Sequence, residues 1–467
     1  MITRKEAAPF GLRDKIGYLF GDFGNDFTFI LSSSFLLKFY TDVMHISAGV
    51  VGIVMMLARF VDAFTDVTMG RICDRARPTA QGKFKPWILR MCAPVAIASF
   101  LIYQSAFATA SMSFRILWLV VTYILWGSIF YTSINIPYGS MASTISREPG
   151  DRQSLSTFRT MGSTLAGVVV GAGVPLVAYD TRLIDGVEVA EMNGPRFTLI
   201  AGVFSALAVI SYLICYVMVS ERVIPEPVEK EKNGVKKMLK SALTNRALIS
   251  IIVASILMLL SQFTLQQMAN YVYPDYYANT AAQSASTIAM MGGMVVAAAL
   301  ARPLSVKFGK AEISVFSNLL AALICILLFF IRPQNVWVYV GVNVFSWLGL
   351  GVFAMVSWAL ITDVIDYSEI KNGVREDGSI YALYSFARKI GQAAAAGLTG
   401  LFLTMIGYEK VEGAPLSEAV KEGIFNISTV IPALGFILLS LVLWFWYPLH
   451  KREVEKNVQI LKEKHSG

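Results

Sequence analysis

Charge is what this sequence is short of. Only 15% of its 467 residues are Asp, Glu, Lys or Arg, 55% are hydrophobic, and the mean hydropathy is +0.58. A soluble domain carries about a quarter charged residues, so this balance sets soluble globular classes aside and indicates the membrane class. Cysteine and histidine are also sparse. Cys73, Cys92, Cys215 and Cys325 are scattered without a CxxC pair and read as small apolar fillers. His45, His450 and His465 fall at predicted helix ends or in the tail. With no Cys/His cluster, a metal centre of the zinc or haem kind is not expected.

What is present instead is a succession of apolar runs. Each is twenty or more residues long, enough to cross a hydrocarbon core of roughly 30 Å as a helix. The first follows a charged segment, "MITRKEAAPFGLRDK", but runs past signal-peptide length and lacks a small-residue cleavage site. No removable targeting peptide is expected. Twelve spans are predicted, near 16–40, 47–71, 86–108, 113–142, 154–179, 197–220, 246–275, 284–306, 312–332, 336–366, 380–407 and 424–447. With the N-terminus inside, the cytoplasmic segments hold about 28 of the 40 Lys and Arg residues and the outer loops about six. That bias predicts two cytoplasmic termini. It also assigns the net +8 to headgroups and cytosol, leaving little reason to invoke nucleic acid.

"SERVIPEPVEKEKNGVKKMLKSALTNRA", rich in Lys and Glu, joins spans six and seven. It predicts an N-terminal six-helix bundle over 1–220, a linker over 221–245, a second bundle over 246–448 and a tail over 449–467. Short basic loops with a glycine, "DRARPTAQGKFK" and "ARPLSVKFGKAE", follow the second span of each half and suggest an internal repeat. The expected fold class is an all-α membrane protein of twelve transmembrane helices in two six-helix halves, the major facilitator architecture.

A charge at the centre of a spanning helix costs roughly 2.5–3.5 kcal/mol, so each one needs a reason. Asp22 and Asp26 lie on span one, four apart and therefore on one face. Asp62 and Asp66 repeat that spacing on span two, with Arg59 one turn earlier and Thr65 beside them. Two such carboxylates form an oxygen-rich place for a small hard cation, or a pair whose repulsion holds a proton. The plainer reading is a packing salt bridge to Arg59, although one arginine cannot balance four aspartates. Arg159 on span five and Lys389 on span eleven are candidate cationic partners, with Arg388 beside the latter. Carboxylates, guanidinium groups and aromatic rings suit a hydroxyl-rich sugar. Span four offers Trp126, Tyr131, Thr132, Asn135 and Tyr138, which ordinary helix packing explains equally well. Asp363, Asp366 and Glu369 at the cytoplasmic end of span ten are either a solvated helix end or an inner gate pairing with arginines such as Arg147 or Arg152.

These stretches carry a resemblance. "RFVDAFTDVTMG…GKFKPW", with "GDFGNDF", "NIPYGS" and "TDVIDYSE", resembles the glycoside–pentoside–hexuronide cation symporters over essentially the whole chain. The resemblance implies that Asp62 and Asp66 hold the coupling cation, completed by Thr65 and Thr132. It implies sugar contacts at Asn25 and Asp26, with Arg159 and Lys389 lining the same cavity. Asn135 stands where melibiose-type members carry an aspartate, Gly139 where they carry tryptophan, and Thr65 where they carry asparagine. "NIPYGS" and "SFARKIGQA" are more similar to the glucuronide and xyloside branch.

The resulting expectation is a monomeric, non-enzymatic symporter of a bacterial inner membrane. It would couple proton or sodium entry to uptake of a pentoside, galactoside or glucuronide, with no other cofactor. Substrate-binding candidates are Asn25, Asp26, Tyr131, Asn135, Tyr138, Arg159 and Lys389. Cation-binding candidates are Asp62, Thr65, Asp66 and Thr132; sodium at Asp62 and Asp66 is the one metal entertained. The alternatives are a lysolipid-type carrier, disfavoured by the polar density on spans one, four, five and eleven, and a channel or sensor. An enzyme is least expected, since no nucleophile–base pair is found.

Overall fold

The computed structural model describes residues 9–184, 186–223, 245–372, 377–411 and 414–466. Most of the predicted linker, 224–244, lies outside them, as do 373–376 of the "KNGVREDG" stretch that follows Glu369. Among the described residues there are twelve long helices: α1 Leu12–Asp42, α2 Ala48–Arg75, α3 Lys85–Ile102, α4 Met112–Ile145, α5 Pro149–Ala178 and α6 Gly194–Met218, then α7 Arg246–Tyr276, α8 Thr280–Phe308, α9 Lys310–Ile331, α10 Val336–Asn372, α11 Asp377–Met405 and α12 Glu418–Trp446. A polar helix, α13 Lys451–Ser466, follows. Ten of the twelve are long and apolar enough to cross a membrane by length and composition. The other two are α1 and α11, the helices that carry Asp22, Asp26 and Lys38, and Arg388 and Lys389.

Inside a bilayer every backbone polar group needs a partner within the protein, and helices supply one internally except at their ends. The ends are capped accordingly. Asn193, Asn245 and Asn279 accept the amide hydrogens of Arg196, Leu248 and Ala282 at 3.0, 3.2 and 2.9 Å, opening α6, α7 and α8. Strands β1 Tyr179–Ile184 and β2 Val187–Met192 form an antiparallel hairpin between α5 and α6.

The chain forms two compact units. The first holds α1–α6 together with Leu403–Leu416; the second holds the rest of α7–α13. Expected boundaries of 1–220 and 246–448 leave Leu403–Leu416 in the second bundle, but this segment packs with the first. Its Tyr408 hydroxyl sits between Lys38 Nζ and Asp42 Oδ1 of α1, 2.8 Å from each. Thr404 accepts the Gly49 amide hydrogen at 2.7 Å. Lys38 and Asp42 pair at 2.8 Å with almost no exposure, so the tyrosine supplies the hydrogen bonding that a buried ion pair requires.

Within each unit the helices pair in the same way. In the first, α1 packs on α6, α2 on α4, and α3 on both α4 and α6. In the second, α7 packs on α12, α8 on α10, and α9 on both α10 and α12. Each pairing is the earlier one advanced by six helices, which is the internal repeat hinted at by the two basic loops.

Candidate functional site

The site residues of the first unit come from α1, α2, α4 and α5. On α2, Asp62 and Asp66 are both half-buried and point the same way, as their spacing requires. Opposite them, α4 passes through a π-helical turn, Leu125–Tyr131, before resuming its α geometry at Thr132. Such turns widen a helix locally and cluster at functional sites. Ser128 Oγ donates to Asp62 Oδ1 at 2.5 Å, and Thr132 Oγ1 donates to Asp66 Oδ1 at 2.8 Å. Two hydroxyls four residues apart therefore meet two carboxylates four residues apart. The second oxygen of Asp62 faces Arg59 Nη1 at 3.3 Å, and that guanidinium lies over the Phe29 ring of α1 at 5.2 Å. Thr65 is turned elsewhere: its hydroxyl bonds to the Asp62 and Val61 carbonyls of its own helix, at 3.1 and 3.3 Å.

A second polar group lies between α1, α4 and α5. Arg159 Nε donates to Asp22 Oδ1 at 2.9 Å, and its guanidinium lies over the Tyr138 ring at 5.4 Å. Tyr138 stacks on Tyr18 with centroids 4.6 Å apart and donates to the Tyr18 carbonyl at 2.6 Å, so it is a buried support for the arginine. Asp26, one turn beyond Asp22, faces Ser163, one turn beyond Arg159. Tyr131 stacks on Phe29 at 5.7 Å, and Asn135 is half-buried on α4. Asn25 turns away from this group: it is 1% exposed and accepts the Tyr212 hydroxyl of α6 at 2.9 Å.

In the second unit, Arg388 of α11 lies over the Trp358 and Tyr384 rings at 5.4 and 5.8 Å, and Lys389 beside it is half-buried. Asp363 is buried and receives Lys310 Nζ at 2.6 Å; the cation that holds it is thus a lysine of its own unit. Arg152, named in the gate expectation, donates to the Ser146 carbonyl at 3.0 Å and to that of Ser143 at 3.4 Å. Asp366 is half-buried and Glu369 buried on the same helix, α10.

Sequence reasoning placed Asp62, Asp66, Thr132 and Arg159 among the site residues, noted Asp22 as an intramembrane charge without giving it a role, and did not single out Ser128. The signal was present, since Ser128 and Thr132 in "GSIFYT" repeat the i, i+4 spacing of the aspartates. Chemically, the α2–α4 cluster offers carboxylate and hydroxyl oxygens, the donor set of hard cations, with the Arg59 guanidinium already on one Asp62 oxygen. The Asp22–Arg159 pair with its aromatic surround offers charge-assisted hydrogen bonds and a flat apolar face, as a polyhydroxylated ring requires.

The sequence pattern described as MFS/sugar transport protein matches residues 17–451. The chain belongs to that family. Among its relatives, an uncharacterized symporter of Bacillus subtilis (strain 168) is 30% identical over 458 residues, covering 97% of this chain and 96% of that protein. A glucuronide carrier protein homolog of Escherichia coli (strain K12) is 29% identical over 448 residues, covering 96% and 94%. A solved D-xylose-proton symporter shares the fold with a TM-score of 0.62 at 13% identity, covering 94% of this chain and 97% of that one. This member of the MFS/sugar transport family is thus a multi-pass major facilitator protein of the glycoside–pentoside–hexuronide symporter type. It is a transporter and not an enzyme.

Proposed function

We propose that the protein couples the entry of a monovalent cation to uptake of a glycoside by alternating access, in a bacterial inner membrane with both termini cytoplasmic. The observation that carries this reading is the facing of Asp62 and Asp66 by two hydroxyls of α4, beside a separate Asp22–Arg159 pair. Asp62, Asp66 and Thr132 hold the cation. Asp26, Tyr131, Asn135 and Arg159 contact the sugar, with Tyr138 supporting the arginine. Lys389 is the proposed sugar contact of the second unit, and Asp363, Asp366 and Glu369 are its proposed inner gate. The names of the relatives support a sugar substrate, and the glucuronide carrier homolog supports a glycoside. A bound cation offsets carboxylate charge that would otherwise resist closure, which ties movement of the ion to movement of the sugar. One charge moving down about 100 mV supplies roughly 2.3 kcal/mol, enough for about fiftyfold accumulation. A lysolipid carrier is not favoured, because the polar groups of α1, α2, α4 and α5 do not form the long apolar path an acyl chain needs.

The deciding experiment is uptake of xylosides, galactosides and glucuronides into proteoliposomes under separately imposed sodium and proton gradients. Asp62→Cys and Asp66→Cys are expected to lose uphill uptake while retaining downhill exchange. Normal accumulation in either variant would overturn the reading.

A further inference from the structure

On the symport reading above, the cation at Asp62 and Asp66 needs further oxygens to complete its site. Asp62 and Asp66 supply two carboxylates. Among the described residues, no group of three or more His, Cys, Asp or Glu side chains is placed to hold a metal ion. The remaining ligands of a metal cation on this pair would be neutral oxygens, and the hydroxyls already set against the two carboxylates are the nearest candidates. Thr65, the residue expected to do so, donates its hydroxyl proton to carbonyls of its own helix and not to either carboxylate. The two hydroxyls that reach the carboxylates both come from α4.

Ser128 is the more confined of the possible additions. It is 2% exposed, and its Oγ lies 2.5 Å from Asp62 Oδ1. Donating its proton to that carboxylate leaves the hydroxyl lone pairs free to face a cation. Gly127 lies directly beside the same carboxylate, since a Cβ there would stand in ordinary contact with Oδ1 at 3.5 Å. The π-helical turn accounts for the register, because Ser128 lies within it and Thr132 directly after it. A proton needs only one carboxylate oxygen. Hydroxyls positioned against both carboxylates are useful to a metal cation, which takes several oxygens at once.

We propose that Ser128 is a specificity-determining residue for the coupling ion, orienting Asp62 and offering its hydroxyl oxygen to a sodium-sized cation, so that α4 rather than Thr65 completes the site. The test is sugar uptake into proteoliposomes of the full chain as a function of sodium concentration. Ser128→Ala is expected to raise the sodium concentration for half-maximal uptake roughly tenfold, with uptake at saturating sodium largely retained. Ser128→Thr should restore the wild-type value, and Ser128→Cys should behave like the alanine variant because a thiol is a poor ligand for a hard ion. Thr65→Val should cost less than Ser128→Ala. Gradient-free sugar counterflow identifies any variant that is misfolded. Wild-type sodium dependence in folded Ser128→Ala or Ser128→Cys would overturn the inference. So would uptake driven by protons and indifferent to sodium, although symport would stand. If no cation gradient drives uptake and Asp62→Cys changes nothing, the symport reading falls and takes the inference with it.

Discussion

The α2–α3 loop of the first half and the α8–α9 loop of the second each turn on a glycine in the left-handed region, Gly82 at φ 130° and Gly309 at φ 106°. In both, a glutamate carboxylate occupies the space a Cβ would need. The carboxylates arrive from different places. Glu221, just beyond α6, accepts the backbone N–H groups of Lys83, Phe84 and Lys85 at 2.9, 2.8 and 2.8 Å, capping the start of α3. Glu312 lies instead in the first turn of α9 and reaches outward, accepting the Lys451 N–H at 3.0 Å where α13 begins. Each half thus ties its second loop to the end of its sixth helix, but with donor and acceptor sides exchanged. A helix N-terminus favours a negative charge wherever the charge originates, so the repeated feature is the joint and not the residue.

The halves differ more sharply in their interiors. In the first unit Asp22, Asp26, Arg59, Asp62, Asp66 and Arg159 lie along α1, α2 and α5, whereas in the second Asp363, Asp366, Glu369, Arg388 and Lys389 lie on α10 and α11, beside an apolar cluster drawn from residues between Ala247 and Leu449. The largest expected effect tests that contrast. Arg159→Ala leaves Asp22, whose side chain is 7% exposed, without its cation; because the arginine itself is 41% exposed and screened by solvent, the expected cost is about 2 kcal/mol in stability. Arg388→Ala loses its stacking on Trp358 and Tyr384, about 1 kcal/mol. Thermal unfolding of purified protein ranks the two, and equal losses would break the comparison. The paired joint comes next. Glu221→Ala strips three backbone donors of their acceptor and is expected to cost about 2 kcal/mol, against about 1 kcal/mol for Glu312→Ala, read in the same assay.

The smallest effect concerns the β1–β2 hairpin, which has no counterpart among the described residues of the second half. The Asn193 hydrogen bond, and then Arg196, hold the Asp180 carboxyl below its usual range. A depressed carboxylate pKa contributes stability above about pH 4 that is lost as the pH falls through the folded value. Protection of the hairpin amides, taken relative to their intrinsic exchange rates at each pH, should therefore fall below about pH 4 in the wild type. Asp180→Asn should show weaker protection at neutral pH, with little further loss on acidification, a difference well under 1 kcal/mol at so exposed a pair.

Much of the site could be read locally. The i, i+4 spacing placed Asp62 and Asp66 on one face, and intramembrane charge marked Arg159 as a partner for aspartates. The same periodicity argues against Asn25 and Asp26 sharing a task, because neighbours on a helix point about 100° apart; Asn25 accordingly meets Tyr212. Ser128 was not legible by itself. A serine in an apolar helix reads the same whether it bonds to its own backbone, as Thr65 does, or reaches across to another helix.

By itself the sequence determined the membrane class, the succession of long helices, the two halves and the few positions where charge enters the apolar core. Those properties follow from solvation costs and from a helical period that each segment carries alone. Tertiary structure decided which groups meet. Ser128 and Asp62 are separated by 66 positions in the chain, and so are Thr132 and Asp66. Their contact depends on how α2 and α4 are rotated against each other and on a π-helical turn that shifts one against the other, and packing fixes both.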